Sequence, residues 1–555
     1  MLMASNKIII YQIFSRLYGN QKDRCQARKP FGTVEENGSG KLNDFTPSVL
    51  KQIREKGVTH VWYTGVIRHA TMTDYSRYGI PQQHPAVVKG RAGSPYAIVD
   101  YYDIDPDLAV NVDKRMEEFE KLVNRTHRAG LKMIIDFVPN HVARQYHSIC
   151  KPKGVKDLGQ GDDPTKGFEP VNNNFYYCPG ETFSPYFDLY HGEKTPYHEE
   201  PAKATGNDCF NNAPGVNDWY ETVKLNYGVD YYAGGIGYFD PVPDTWKKMT
   251  DILLFWASKG VDGFRCDMAE MVPAAFWAWA TRQVKAQHPD ILFIGEVYNP
   301  AQYRNYLASG FDYLYDKVGM YDVLRDVVCH RRGSGDITRA WQITDDIRQH
   351  MLYFLENHDE QRIASDFFVG DAWKAVPAMI VSVLLDKNPF MLYAGQEYGE
   401  RGMDAEGFSG CDGRTTIFDY WLVDTLSRAA EGQLTTDEQQ LALLYNKVMT
   451  LAQKEKAIQD GKMFDLMYAN QQYGAQYAFL RGNGKEQCLV VVNFDDSEAD
   501  LSLTIPSHAF EYLEIKAAPC QAVDLLTGRT LQLDLKPDGP VSIHLKPRGG
   551  VVLKF

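Results

Sequence analysis

The chain has 555 residues, 44% hydrophobic and 24% charged, and a net charge of −13 with no long block of one sign. The length calls for two or three domains, and the missing basic patches exclude nucleic acid as a partner. Nine cysteines with no CxxC pair argue against a zinc site and a disulfide framework and fit a reducing compartment, and no run approaches 18 apolar residues, so no membrane span is expected.

The first element follows directly on the N-terminus. "MLMASNKIIIYQIF" lacks the basic start and long apolar stretch of a leader, so a cytoplasmic protein is expected. Within it, "KIIIYQIF" (7–14) is the first of eight short apolar runs. The others are "VTHVWY" (58–63), "LKMIIDFV" (131–138), "GVDGFRC" (260–266), "ILFIGEV" (291–297), "FDYLYD" (311–316), "MLYFLEN" (351–357) and "PFMLYAG" (389–395). Runs apolar on both faces suit strands buried between a core and a helix layer. Between them lie helix signals. Residues 113–130 open on Asp113, carry early acids and end on Gly130, and residues 243–260 open on Pro243 and Asp244 and end on Gly260. Strand then helix, eight times, predicts a closed (β/α)8 TIM barrel.

One connection is too long for a loop. More than a hundred residues separate Val138 from Gly260, rich in Gly, Asn, Asp, Pro and Tyr, so an inserted subdomain is expected after the third strand. Beyond residue 465, "QYAFLRG", "QCLVVVNF", "LSLTIP", "VSIHLK" and "GGVVLKF" predict an all-β C-terminal domain. The expected division is barrel over 1–142, insertion over 143–240, barrel again over 241–464, and a β-sandwich over 465–555. Aromatic residues reach 13%, which fits a sugar-binding cleft and a large barrel core equally well.

Chemistry in such barrels sits at the C-terminal strand ends. Four runs end in polar clusters: "DFVPNH" with Asp136, Asn140 and His141; "GFRCD" with Arg265 and Asp267; "GEVY" with Glu296; and "ENHDEQR" with His358 and Asp359. On one rim they converge. Crowded carboxylates push each other's pKa values apart, and cleavage of a glycosidic bond needs one anion and one acid across the scissile oxygen. On this reading Arg265 holds Asp267 ionised as nucleophile, Glu296 protonates the leaving oxygen, and Asp359 orients ring hydroxyls and stabilises positive charge. The rival for Arg265 and Asp267 is a plain structural ion pair, and the histidines and Tyr96 could be core residues. Cys266 reads as a barrel filler.

These four motifs, in this order, resemble the signature regions of the α-amylase family of glycoside hydrolases. "GSPYAIVDYYDIDPDL" (93–108) and "PFMLYAGQEYG" (389–399) resemble flanking segments of that family. The resemblance implies a retaining mechanism with Asp267 as nucleophile, Glu296 as acid/base and Asp359 as stabiliser. It implies that Arg265 pairs with the nucleophile, that His141 and His358 bind sugar hydroxyls, and that Tyr96 supplies a stacking platform. Asp136 is expected to anchor backbone and Arg265. The implied partner is an α-glucan: starch, glycogen or maltodextrin.

The chain departs from the pattern twice. Glu270 and Met271 stand where starch-cleaving members carry Lys and His on the leaving-group side. In "TVKLNYG" (222–228), Lys224 stands where many members have a calcium-ligating Asp, with Asn140 as the other ligand. An ammonium there could replace the ion, so no cofactor is expected to be required and the usual structural calcium is in question. The run "NDCFNNAPGVND" (207–218) reads as turns, with calcium binding as the alternative. Transglycosylation of the glucan-branching or trehalose-forming type, α-1,6 cleavage and a non-catalytic binding scaffold remain open as rivals to α-1,4 hydrolysis.

Overall fold

The eight apolar runs pair side by side and in parallel in a computed structural model, which describes residues 7–188 and 194–555. Residues 1–6, part of the stretch read for a leader, and 189–193, within the long insertion, lie outside the described residues. The strands are β1 (Ile9–Phe14), β2 (His60–Thr64), β3 (Lys132–Phe137), β4 (Gly263–Cys266), β5 (Leu292–Gly295), β6 (Tyr313–Tyr315), β7 (Met351–Phe354) and β8 (Phe390–Tyr393). β8 returns to pair with β1, so the sheet closes and has no edge. The predicted (β/α)8 barrel is therefore what the chain forms, and the short sixth run contributes only three residues.

Strand alternation sorts the side chains. Ile10, Trp62, Ile134, Ile294, Tyr315, Leu352 and Met391 fill the barrel interior, while their neighbours Ile9, Tyr11 and Ile13 pack outward against the helix layer. Burying each such side chain is worth roughly 1.5–3 kcal/mol. β4 is the exception to the apolar filling, because its inward residue is Arg265.

Four helices carry the chain back between the early strands: α1 (Pro47–Glu55), α2 (Arg115–Arg128), α3 (Asp244–Ser258) and α4 (Ala274–Gln287). α2 starts two residues later than Asp113 suggests. Asn111 caps the preceding single turn, and the Glu118 carboxylate accepts from the Val110 and Asn111 amides. The stops fall as read: Gly130 and Gly260 both adopt left-handed φ, 74° and 89°. A fifth helix, α5 (Val376–Leu384), is apolar all round and wholly buried, because the C-terminal sheet covers the face that the barrel does not. Arg481 of that sheet closes the end of α5 by donating to Leu384 O at 2.8 Å.

The insertion after β3 contains only short strand pairs. His141–Ala143 pairs with Thr222–Lys224, Tyr177–Cys178 with Ala202–Lys203, and Val229–Asp230 with Ile236–Gly237. Side-chain to backbone bonds replace the missing ladders; Asp162 alone accepts from the amides of Asn174 and Phe175.

The C-terminal strands are β9 (Lys462–Asp465), β10 (Gln476–Gly482), β11 (Gln487–Asn493), β12 (Ala499–Thr504), β13 (Pro519–Asp524), β14 (Thr530–Asp534), β15 (Pro540–Leu545) and β16 (Gly550–Lys554). Six form one antiparallel sheet in the order β9-β10-β11-β16-β13-β14, and β12 pairs with β15. Among the described residues no helix is long and apolar enough to cross a membrane, and all nine cysteines are free.

Candidate active site

The parallel ladder sets the two central carboxylates. The Asp267 amide donates to Phe137 O on β3 at 2.9 Å, and the Glu296 amide donates to Cys266 O on β4 at 3.1 Å. Both residues thus leave the C-terminal rim at fixed register. Arg265, one layer deeper, holds them together. Its Nη1 donates to Asp267 Oδ1 at 2.7 Å, and its Nη2 lies 2.7 Å from Glu296 Oε2, an ion contact not aligned as a hydrogen bond. Rings of Trp62, Tyr96 and Tyr315 surround the guanidinium at 5.2–5.7 Å, so an arginine 1% exposed keeps aromatic partners where water is absent.

Asp136 stands behind this pair. It accepts from Trp62 Nε1 at 3.1 Å and from the Gly65 amide at 3.3 Å, and lies 3.5 Å from Arg265 Nη1. It is an anchor, as read. Met268 follows Asp267 in the left-handed region, at φ 42° and ψ 43°, a conformation rare for a non-glycine residue. That turn points the Met268 amide at Glu296 Oε2, 2.8 Å away. Tyr298 donates its hydroxyl to the other oxygen, Oε1.

Asp359 arrives from β7 across the barrel. Its amide and that of Glu360 are tied to Asn357 Oδ1 at 2.9 and 2.8 Å. His358 Nε2 lies 3.0 Å from its carboxylate and 2.5 Å from the Tyr96 hydroxyl, while Nδ1 faces Gln12 Nε2 at 2.7 Å. Both ring nitrogens of His358 are therefore engaged by protein. These contacts let His358 place Asp359 and Tyr96. The Tyr96 ring stacks on His358 at 5.3 Å and turns toward the cleft.

Asp267, Glu296 and Asp359 line one cleft of about 400 Å³, together with Tyr96 and His141. Sequence reasoning missed the rest of its wall. Trp219 packs on His141 at 5.1 Å, Lys89 and Glu221 meet at 3.0 Å, and Tyr298 and Phe418 close other sides. Trp219 and Glu221 come from the insertion, where no periodicity marks them. Tyr298 had a usable signal, two residues after Glu296 at a strand end.

The carboxylates are not alike. Burial pushes Asp267 well above the usual carboxylate range; Arg265 opposes this, but Glu296 and Asp359 add to it. Arg265 acts on Asp267 in the sense read from the sequence, toward the anion, while burial and the neighbouring acids act against it. Asp359 is only half-buried; desolvation pushes it up, but His358, Arg265 and Arg414 outweigh this and bring it below its ordinary value. Burial, with Lys224 and Lys89, lowers His141 to about 3, so its ring is neutral.

The donors at the position of the family's calcium are already committed to one another. Asn140 Oδ1 accepts from Lys224 Nζ at 2.8 Å, and Lys224 also pairs with Asp208 at 2.5 Å. Asn140 Nδ2 donates to Gly206 O at 2.7 Å. A buried ammonium, a neutral amide and one carboxylate do not fit a divalent cation, which wants several oxygens and net negative charge. In the 207–218 run, Asn207 donates to Asp218 at 2.7 Å and Asp218 accepts from Gly215 N, so these residues serve as turns.

Known proteins resemble this chain in sequence and fold. The family profile described as alpha amylase, catalytic domain, matches residues 28–449. Alpha-amylase 3 of Dictyoglomus thermophilum is 25% identical over 393 residues, covering 66% of this chain and 68% of that one. Neopullulanase 2 of Thermoactinomyces vulgaris is 22% identical over 415 residues, covering 72% and 57%. A maltogenic alpha-amylase from Thermotoga neapolitana has the same fold at a TM-score of 0.64, with 20% identity over 100% of this chain and 99% of its own. With the profile spanning well over half its length, the chain belongs to the α-amylase family and is a glycoside hydrolase.

Proposed function

We propose that this enzyme cleaves α-1,4-glucosidic bonds in maltodextrins, glycogen or starch with retention, through a covalent glycosyl-enzyme on Asp267. The observation that supports this most is the sharing of one guanidinium: Asp267 and Glu296 each lie 2.7 Å from a different nitrogen of Arg265. Retaining enzymes keep their two carboxyls about 5–5.5 Å apart, close enough for direct attack with no intervening water.

The chemistry follows from the placement. The Asp267 carboxylate attacks C1 as the C1–O bond breaks, and Glu296 gives its proton to the leaving oxygen. A water then loses its proton to Glu296 and attacks C1, freeing Asp267. Burial makes the Asp267 anion costly in the empty cleft, so positive charge growing at C1 supplies the partner it lacks. Asp359 adds a second negative group, and Tyr96 offers a face to the sugar. No step needs a metal, and Lys224 replaces calcium between Asn140 and Asp208.

Maltoheptaose and pullulan test this reading, with products followed by chromatography and by NMR of the anomeric proton. Shorter maltooligosaccharides of α configuration are expected. Products longer than maltoheptaose at early times would assign transglycosylation instead, and release of maltotriose from pullulan with maltoheptaose left intact would assign α-1,6 action.

A further inference from the structure

We infer that Glu270 and Tyr298 form a positioning pair for Glu296, so that the acid/base is aimed by one turn shared between β4 and β5. This rests on the reading of Glu296 as acid/base.

The turn Ala269–Met271 begins two residues after Asp267, with Met268 between them. The Glu270 carboxylate faces neither solvent cation nor cleft. Its Oε2 accepts from the amides of Tyr298 and Asn299, both at 3.0 Å. Tyr306 braces the same turn by donating to Glu270 O at 2.9 Å and Val272 O at 3.0 Å. The segment after β5 is therefore tied to the segment after β4. The consequence falls on Glu296. Its Oε2 is held by the Met268 amide and by Arg265, and its Oε1 has the Tyr298 hydroxyl. Both oxygens are set by residues of the two tied segments. This accounts for the first departure noted in the sequence, an acid where the family pattern has Lys: the carboxylate at position 270 is used on the backbone that carries Tyr298.

A hydroxyl suits this place because it both donates and accepts. When Glu296 is a carboxylate, Tyr298 donates to Oε1. When Glu296 is protonated, its Oε1–H can donate to the tyrosine oxygen, then turn to the glycosidic oxygen by exchanging one hydrogen bond for another. The Tyr298 O–H bond stays intact throughout, and the transferred proton is always that of Glu296. Tyr298 acts through Glu296 and is a positioning residue.

The test is kcat and the full pH profile on maltodextrin for Tyr298→Phe, Glu270→Ala and Glu270→Gln. Tyr298→Phe is expected to lower kcat at least about 10-fold. Losing a donor to the Glu296 carboxylate should move the alkaline limb of the pH profile upward. Glu270→Ala should reproduce both changes. Glu270→Gln, which keeps a carbonyl acceptor, should stay near the parent. An unchanged kcat and pH profile in Tyr298→Phe, or a Glu270→Ala that alters only the melting temperature, would overturn the inference. Glu296→Gln, measured with good and poor leaving groups, separates the two levels. Parent-like rates on both would remove the acid/base reading itself. A loss confined to poor leaving groups beside a silent Tyr298→Phe would remove only the positioning pair.

Discussion

Two clusters of charge meet the end of β3 and the segment after it, one at Asp136 and one at Asn140, and they are built oppositely. At the barrel mouth one cation, Arg265, faces Asp136, Asp267 and Glu296. In the insertion one cation, Lys224, faces one carboxylate, Asp208, and the neutral Asn140. The second is balanced: the buried Lys224 ammonium has one carboxylate at the surface and one amide oxygen inside, which is what a buried cation requires. The first carries more negative charge than its cation can neutralise, and stability gives no reason to keep such an excess. The unpaired charge is available to a ligand that develops positive charge, which is the demand of glycoside cleavage.

The largest effect that would break this contrast is at the mouth. Asp267→Asn and Glu296→Gln are each expected to cut turnover of maltodextrin by about 10⁴-fold or more, with oligosaccharide binding still measurable by calorimetry. The melting temperature of Asp267→Asn at neutral pH should equal or exceed the parent's. A carboxyl raised by burial costs stability where it is ionised, and the amide removes that cost. A large drop in melting temperature with activity retained would make the mouth cluster structural after all.

The balanced cluster should respond the other way. Lys224→Ala leaves Asn140 Oδ1 without its donor and should cost about 1–3 kcal/mol in denaturant unfolding, with kcat within about threefold of the parent. The smallest expected effect belongs to calcium. Neither the ion nor a chelator should move the parent's melting temperature, whereas Lys224→Asp, which adds a carboxylate beside Asp208, should make it calcium-dependent. A calcium-dependent parent would show that the ammonium does not replace the ion.

Much of the barrel was legible because each strand is a run apolar on both faces, and polar residues at the ends of such runs must have a use. Arg265, Asp267, Glu296 and Asp359 stood out for that reason. The strands β9, β13 and β14 were not read, since they are short and half-exposed or carry polar residues on alternate positions. Trp219 and Glu221 were hidden because the insertion is held by side-chain to backbone bonds, and Lys89 because it lies in an irregular segment ahead of β3; neither leaves a periodic trace. Two properties of the site were beyond any one-dimensional reading. The engagement of both His358 nitrogens depends on Gln12 and Tyr96, distant in the chain. The raised state of Asp267 depends on its burial and then on how many acids share one arginine.

The central claim is that Asp267 bonds to the sugar. A fluorinated maltosyl fluoride, which forms the glycosyl-enzyme faster than water releases it, followed by peptic digestion and mass spectrometry, tests this directly. One added glycosyl unit on the peptide carrying Asp267 is predicted. A label on Glu296 or Asp359, or turnover with inverted products and no label, would contradict the account.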